Sequence, residues 1–307
     1  MRQIMKRIRK LLYYLINEPS KIAIAILIRT AILIPDKIYL RCLFRLRVGY
    51  KLNLKNPTSF NEKLQWLKIY NRHDLQTKMV DKVEAKKYVA ELIGEEYIIP
   101  TLAVYDTPDQ IDFESLPNQF VLKCTHDSGG IIVCKDKSEL NQGEVRAKFS
   151  RWLKTNYFYQ NREWPYKNVK PRIIAEQYME DESGYELKDY KWFCFNGEPK
   201  ALFIAADRGM ENEETKFDFY DMDFNHLPFT NGHPNASKLP RKPKGFDKMK
   251  ELAAKLSVGE PHVRVDFYDI NGCVYFGELT FYHWSGMVPF EPKEWDYIFG
   301  SWIKIQD

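Results

Sequence analysis

An Asn271-Gly272 dipeptide separates Arg264-Val265-Asp266-Phe267 from Gly277-Glu278-Leu279-Thr280. Asn-Gly favours the left-handed backbone of tight hairpin turns, so this stretch is expected to be an antiparallel hairpin with a carboxylate on each arm. Side chains alternate between faces along a strand, and that alternation sets a test. A plain two-residue turn pairs Asp266 with Gly277 and sends Glu278 to the opposite side. An odd loop over Ile270-Asn271-Gly272, or a bulge, instead brings Arg264, Asp266 and Glu278 onto one face. Two carboxylates there suit magnesium, and an arginine beside them suits a developing oxyanion. The competing reading is a solvated hairpin face.

A second polar stretch lies far upstream. Phe120-Val121-Leu122-Lys123 reads as a strand that delivers a lysine into Thr125-His126-Asp127-Ser128-Gly129-Gly130. Two glycines let backbone N–H groups close on phosphate oxygens, and the lysine supplies a point charge. The pattern is not the GxxxxGK[ST] loop that leads into a helix. Taken alone it is equally a polar turn between two strands. Glu176-Gln177-Tyr178-Met179 follows the apolar Ile173-Ile174-Ala175 and suits either a slot for a purine edge or a linker. Asp221-Met222-Asp223, after a strand at Phe217 to Tyr220, is the rival signal, since a DxD can hold a metal and a nucleotide-sugar diphosphate. His226, His233, His262 and His283 lack the spacing of a metal or triad motif and are expected to be structural.

The 307 residues suffice for one or two domains, and 44% hydrophobic content excludes a disordered or collagen-like chain. Five scattered cysteines, odd in number, argue for a reducing, cytoplasmic compartment and against a disulfide framework or zinc site. Charge is unevenly spread. Residues 1–50 hold eleven Lys/Arg against Glu18 and Asp36, a net +9, which leaves −5 for the rest of a +4 chain. With no nucleic-acid module in the body, the basic head points to a surface-binding segment, and no nucleic-acid partner is expected. Ile4, Ile8, Leu11, Leu12 and Leu15 fall at helical spacing, and Ile22 to Ile34 is rich in Ile, Ala and Leu but interrupted by Arg29. That run is too short to span a bilayer. It is either a helix pair packed on the body or an amphipathic anchor at the anionic inner face of the membrane.

Ser59 and Glu62 form a capping-box pattern ahead of a helix through Leu67. Helices are also expected at Asp81 to Ile93, Val145 to Asn156 and Phe246 to Leu256, and a hairpin at Asn196-Gly197. Strand pairs interspersed with helices, without a βαβ rhythm, argue for an α+β fold over a doubly wound sheet.

The order of these motifs resembles the ATP-grasp superfamily, which includes D-alanine–D-alanine ligase. It runs through Asp81-Lys82, Phe120-Val121-Leu122-Lys123, Glu176-Gln177-Tyr178-Met179, Asp189-Tyr190-Lys191, Arg264-Val265-Asp266 and Glu278-Leu279-Thr280. Phe44-Arg45-Leu46-Arg47-Val48-Gly49, the stretch Asn56 to Trp66 and Leu116-Pro117 to Lys123 look more narrowly like the TupA-like branch. That branch is associated with teichuronopeptide, capsule and surface-polysaccharide clusters, and its members are often labelled glycosyltransferases. The likeness covers roughly residue 40 onward. It implies two α+β subdomains clamping ATP: a basic helical segment at 1–48, an N-terminal and lid region at 49–185, and a metal-binding subdomain at 186–307.

By the same resemblance, Lys82 and Lys123 contact phosphate, and the loop of Thr125, His126, Ser128, Gly129 and Gly130 closes over it. Glu176, Gln177 and Met179 line the adenine slot, with Asp189 and Lys191 nearby. Asp266, Glu278 and Thr280 hold one or two Mg2+ ions, Thr280 standing where the superfamily usually has Asn, and Arg264 stabilises the tetrahedral intermediate. Ser285-Gly286-Met287 resembles a closing Pro-Gly loop with Ser for Pro. The implied chemistry joins a carboxylic acid to an amine through an acyl phosphate, releasing ADP and phosphate. The implied partners are a hexuronic acid or polysaccharide precursor and an amino acid. A kinase with a hydroxyl acceptor, a glycosyltransferase using Asp221 and Asp223, and a non-catalytic scaffold are the alternatives.

Overall fold

The computed structural model describes Met5 and residues 17–181, 187–206 and 214–305. The expected amphipathic positions Ile4, Ile8, Leu11, Leu12 and Leu15 lie outside the described residues. Helix α1 (Pro19–Arg29) is followed by α2 (Asp36–Val48), which ends where Gly49 takes a φ of 92°. Helix α3 (Phe60–Tyr70) starts as its sequence demands. Ser59 Oγ accepts the Glu62 N–H at 3.2 Å, and the Glu62 carboxylate accepts the Ser59 N–H in return. The helix expected over Asp81 to Ile93 starts three residues late, as α5 (Glu84–Ile93), and a further helix, α4 (Asp74–Val80), precedes it. Asp81 keeps the two apart by taking the Val83 N–H at 2.9 Å on its own carboxylate, which competes with the helical ladder.

The next strands are β1 (Thr101–Tyr105), β2 (Phe120–Cys124) and β3 (Ile131–Cys134). Helices α6 (Gln142–Trp152) and α7 (Phe158–Asn161) precede β4 (Ile173–Gln177). These four strands form an antiparallel sheet in the order β1-β4-β2-β3. Phe120, Leu122, Ile173 and Ala175 on its inner face pack on Val145 and Phe149 of α6.

The second sheet contains β5 (Asp189–Phe195), β6 (Glu198–Ala206), β7 (Lys216–Tyr220) and β8 (His226–Leu227). Helix α8 (Phe246–Leu256) then leads to β9 (Val263–Ile270) and β10 (Cys273–Thr280), and α9 (Glu294–Trp302) closes the chain. Its order is β10-β9-β5-β6-β7-β8, again antiparallel throughout. Two antiparallel sheets with helices packed on them make an α+β fold, as the irregular strand–helix rhythm implied.

Packing does not follow a boundary at residue 185. Phe60, Leu64, Met79 and Val89 belong to the core of the six-stranded sheet, with Phe193, Phe203 and Val265. Helices α3 to α5 therefore buttress the larger sheet, although they precede the smaller one in sequence. Tyr39, Leu40, Leu43 and Phe44 of α2 form a third cluster with Leu52, Leu54 and Met287. Helix α2 is thus docked on the body, whereas α1 has no buried residue.

Candidate active site

The hairpin parity is resolved by a bulge. Asn271 (φ 56°) and Gly272 (φ 93°) make a two-residue turn, and Ile270 pairs with Cys273. The expected odd loop over Ile270 to Gly272 does not form. Plain pairing runs as far as Phe276 with Phe267, and then Glu278, not Gly277, stands opposite Asp266. Gly277 is the extra residue, at a point so close to the partner strand that a Cβ there would lie 3.1 Å from the Asp266 carbonyl oxygen. A bulge shifts the alternation by one, so Arg264, Asp266, Glu278 and Thr280 share a face. On the other side of β9, Lys191 pairs in register with Asp266 and extends this polar row.

The side chains are closely joined. Arg264 forks onto Asp266, with Nε to Oδ1 at 2.6 Å and Nη2 to Oδ2 at 2.7 Å. The same Nη2 reaches Glu278 Oε1 at 3.2 Å and Thr280 Oγ1 at 3.0 Å, and the Thr280 hydroxyl donates to Glu278 at 3.1 Å. Arg264 Nη1 donates to His283 Nδ1 at 2.9 Å, so His283 is neutral and its Nε2–H goes to Asn231 Oδ1. Burial, and then Arg264, push the imidazole well below its usual range. Lys191 ion-pairs with Asp266 and lies 3.4 Å from Asp189. Burial would raise the Glu278 carboxyl, but Lys191, Arg264 and Lys82 outweigh it and hold Glu278 at about 2. Glu278 is therefore ionised at neutral pH and partly open to solvent.

The opposing wall comes from the smaller sheet. Glu176 on β4 is 4% exposed and is gripped by two lysines, Lys123 Nζ on β2 at 2.6 Å and Lys86 on α5. Burial alone would raise its carboxyl. The two ammonium groups outweigh that and bring it to about 2. A depressed carboxylate stabilises the fold above its unfolded pKa, and that stability is lost as pH falls through the folded value. Acid titration of the folded protein is accordingly expected to show stability declining from about pH 4.5 towards pH 2, with a shallower decline in Lys123→Met.

Lys123 enters the loop as expected, and Cys124 N–H donates to Gly130 O at 2.7 Å to close it. Gly130 is required there because a Cβ would lie 2.7 Å from Cys124 Sγ. Within the loop the Gly129 and Gly130 N–H groups turn onto Asp127 Oδ1, and Lys82 donates to the Asp127 carbonyl.

Between the walls runs a cleft lined by Lys82, Lys86, Lys123, Glu176, Asp189 and Glu278, along with Ser128, Gly129 and Gly130. Its apolar surface comes from Met79, Ile131, Tyr268, Phe276 and Leu279. Not every expected residue reaches it. Thr125 is buried, bonded to Lys170 and Arg172 backbone, and His126 is buried against the Thr155 carbonyl. Gln177 is exposed and Met179 half-buried, neither on the cleft wall, and the apolar lining of the cleft comes from α4, β3, β9 and β10. Lys191 lies behind Asp266 and not on the cleft wall. Lys86 escaped the sequence reading, although its place four residues after Lys82 was a usable signal.

A second pocket adjoins the first across Glu278. Arg47, Tyr157, Glu163, Arg264, Thr280 and Trp284 line it. Its floor is Ser285, at a φ of 58°, whose Oγ donates to Glu163 at 2.7 Å and accepts from Lys68 Nζ at 2.9 Å. Burial lowers Lys68 to about 7 and raises Glu163. This buried network holds a backbone geometry that costs an L-residue on the order of 1–3 kcal/mol. Arg47 reaches the pocket from α2, with its guanidinium bonded only to the neutral Asn161 Oδ1 among the described residues.

Asp221 lies elsewhere, at the β7–β8 edge of the sheet. Its carboxylate closes its own turn, accepting the Asp223 and Asn225 N–H groups at 2.9 and 2.8 Å.

A family model described as TupA-like ATPgrasp matches residues 62–304. The chain belongs to the TupA-like ATP-grasp family. No curated protein matches it in sequence. Among solved structures it is similar to D-alanine–D-alanine ligase from Bacillus anthracis complexed with ATP, at 15% identity and a TM-score of 0.41. That match covers 66% of this chain and 54% of the ligase, so this TupA-like chain spans about half the length of that relative. The Helicobacter pylori D-alanine–D-alanine ligase is also 15% identical, with a TM-score of 0.40, over 81% of this chain and 70% of that one. The ATP-grasp ligase PsnB, complexed with minimal precursor, Mg and ADP, is 10% identical with a TM-score of 0.38, over 72% of this chain and 57% of that one. No helix among the described residues is long and apolar enough to cross a membrane.

Proposed function

We propose that this TupA-like chain is an ATP-dependent carboxylate–amine ligase acting in surface-polysaccharide, capsule or teichuronopeptide assembly. The observation that carries the reading is the single cleft joining Lys82, Lys86 and Lys123 on one wall to Glu278 on the other. Three lysines suit a polyphosphate, and the apolar slot at Ile131, Tyr268 and Phe276 suits a purine. The donor set of Asp266, Glu278 and Thr280 is all oxygen and fits a hard divalent cation. Of these, Glu278 is open to the cleft, whereas both Asp266 oxygens are held by Arg264, one of them shared with Lys191. Magnesium would be held chiefly by Glu278, with Asp266 and Thr280 beside it, and would neutralise charge on the transferring phosphoryl group.

The residues of the chain then position and neutralise. Lys123 and Lys86 are held in place by Glu176. The acid occupies the second pocket, where its carboxylate takes the γ-phosphoryl group of ATP and ADP leaves. An amine then attacks the carbonyl, a proton is lost, and phosphate departs as the amide forms. Arg264, fixed by Asp266 and His283, faces that pocket and suits the oxyanion of the tetrahedral intermediate. The acid is a hexuronic acid or related polysaccharide precursor and the amine an amino acid or amino sugar.

Thermal unfolding with Mg-ADP, Mg-ATP or nucleotide sugars tests this. A ligand at about 100 times its dissociation constant adds about 2.7 kcal/mol. Stabilisation by adenine nucleotides is expected, abolished in Lys123→Ala and weakened in Lys82→Ala. Stabilisation by a nucleotide sugar alone would replace the proposal with glycosyl transfer.

A further inference from the structure

Helix α1 is an 11-residue stretch of Ile, Ala and Leu with Lys21 and Arg29, yet it buries none of its residues. Its Ile24 and Leu27 lie half-buried against the α2 cluster, and the side that carries Ile26 is left open, a surface without its partner. It continues through a short turn into α2, and the most exposed large apolar side chains of this region cluster there. Ile26 is 56% exposed, Ile32 71%, Leu33 81% and Ile38 53%.

Helix α2 is two-sided by its own periodicity. Tyr39, Leu40, Leu43 and Phe44 form the buried stripe, while Lys37, Ile38, Arg41, Cys42 and Arg45 form the exposed one at helical spacing. The exposed cations Arg29, Arg41 and Arg45 have no acidic partner among the described residues, and Lys37 lies only over the Tyr70 ring. The one acid of α2, Asp36, is turned to the body and paired with Arg72 and Arg162. The outer face thus combines aliphatic tips with cations, and the carboxylate at the start of α1, Glu18, is paired with Lys21.

From this juxtaposition we infer that the outer face of α1 and α2, with Ile32 and Leu33 at its tip, docks on an anionic lipid surface. The chemistry discriminates among occupants. A protein partner or second copy needs shape complementarity and neutralising acids, and a second copy would set the same four cations against themselves. A bilayer supplies diffuse negative charge at the headgroups and an apolar layer just beneath, which suits a few protruding aliphatic side chains ringed by Arg and Lys. The chain preceding α1 adds to this in composition, with Arg2, Lys6, Arg7, Arg9 and Lys10 among helically spaced Ile and Leu.

The test is co-sedimentation of the full chain with vesicles of phosphatidylcholine containing about one-third phosphatidylglycerol, against phosphatidylcholine alone. Binding is expected only to the anionic vesicles and is expected to weaken as salt is raised. Arg41→Gln with Arg45→Gln should lower the partition coefficient on the order of 10- to 30-fold. Ile32→Ser with Leu33→Ser should lower it about tenfold by removing the inserted tip. All four positions are exposed, so both variants should retain the wild-type melting temperature and the wild-type response to Mg-ADP. That response reports on the nucleotide reading separately from the docking reading. Absence of wild-type binding to anionic vesicles, or binding unchanged in both variants, overturns the proposal. So does a wild-type dimer in sedimentation velocity that Ile32→Ser with Leu33→Ser converts to monomer.

Discussion

Replacing Glu176 by Gln is expected to lower folding stability by about 3 kcal/mol at neutral pH, measured by urea titration. The charge of Glu176 is buried, and two ammonium groups close on it from different elements, Lys123 from β2 and Lys86 from α5. Removing the carboxylate leaves two like charges facing each other in a site that water reaches only partly. The substitution is nearly isosteric, so the loss reports on charge and not on a cavity. It should shrink towards pH 2, where the wild-type carboxylate is itself protonated. Adding Lys86→Met to Glu176→Gln should recover part of the loss, because the two changes act on one ion-pair network. A decrease below about 1 kcal/mol would show that the pair is solvated and contributes as little as an exposed salt bridge.

Excision of Gly277 is expected to leave nucleotide-dependent stabilisation in place. Without the bulge residue the pairing of Phe276 with Phe267 would run directly into that of Glu278 with Asp266, the pairs already present, and every later side chain of β10 would keep its face. Leu279, which is 1% exposed, would stay in the core, and Glu278 would stay on the face of Asp266. Straightening β10 with Gly277 retained would instead turn that leucine out, which costs on the order of 2–5 kcal/mol. Gly277→Ala is the control. Its methyl group meets the Asp266 carbonyl at 3.1 Å and the Tyr268 ring at 3.3 Å, which strains the site without changing parity. It should cost about 1–3 kcal/mol and keep the Mg-ADP response. A Gly277-excised protein that folds but no longer melts higher with Mg-ADP would disprove that pairing with Asp266 alone places Glu278 in the nucleotide site.

The comparison of sequence with structure turns on these same residues. Hairpins at Asn196-Gly197 and Asn271-Gly272 were legible because only a left-handed backbone accommodates such turns, and both pairs adopt it. The Ser59 capping box was legible because it is a local exchange of hydrogen bonds. The bulge could be required by parity but not located, since its position depends on how closely β10 approaches β9 at Gly277. Gln177 and Met179, expected at the adenine slot, do not line the cleft for a similar reason. Which strand faces the cleft is decided by the packing of two sheets, and a single strand's sequence does not record that. Lys86 and Arg47 were missed because each is contributed by a helix whose other face does ordinary packing. The break at Asp81 likewise reflects Arg172, ninety-one residues away, which pairs with the carboxylate that keeps α4 and α5 apart.

Helix α2 carries Arg47 on the side opposite its exposed stripe, at the rim of the second pocket. An α-helix with its side chains is about 10–12 Å across. A chain lying on lipid by this face would hold that guanidinium at a fixed altitude, about one helix thickness above the headgroups. The helix would then act as a spacer, setting how far the charged end of an acceptor must stand off the bilayer to be reached. Acceptors would be sorted by the length of their stalk as well as by their chemistry.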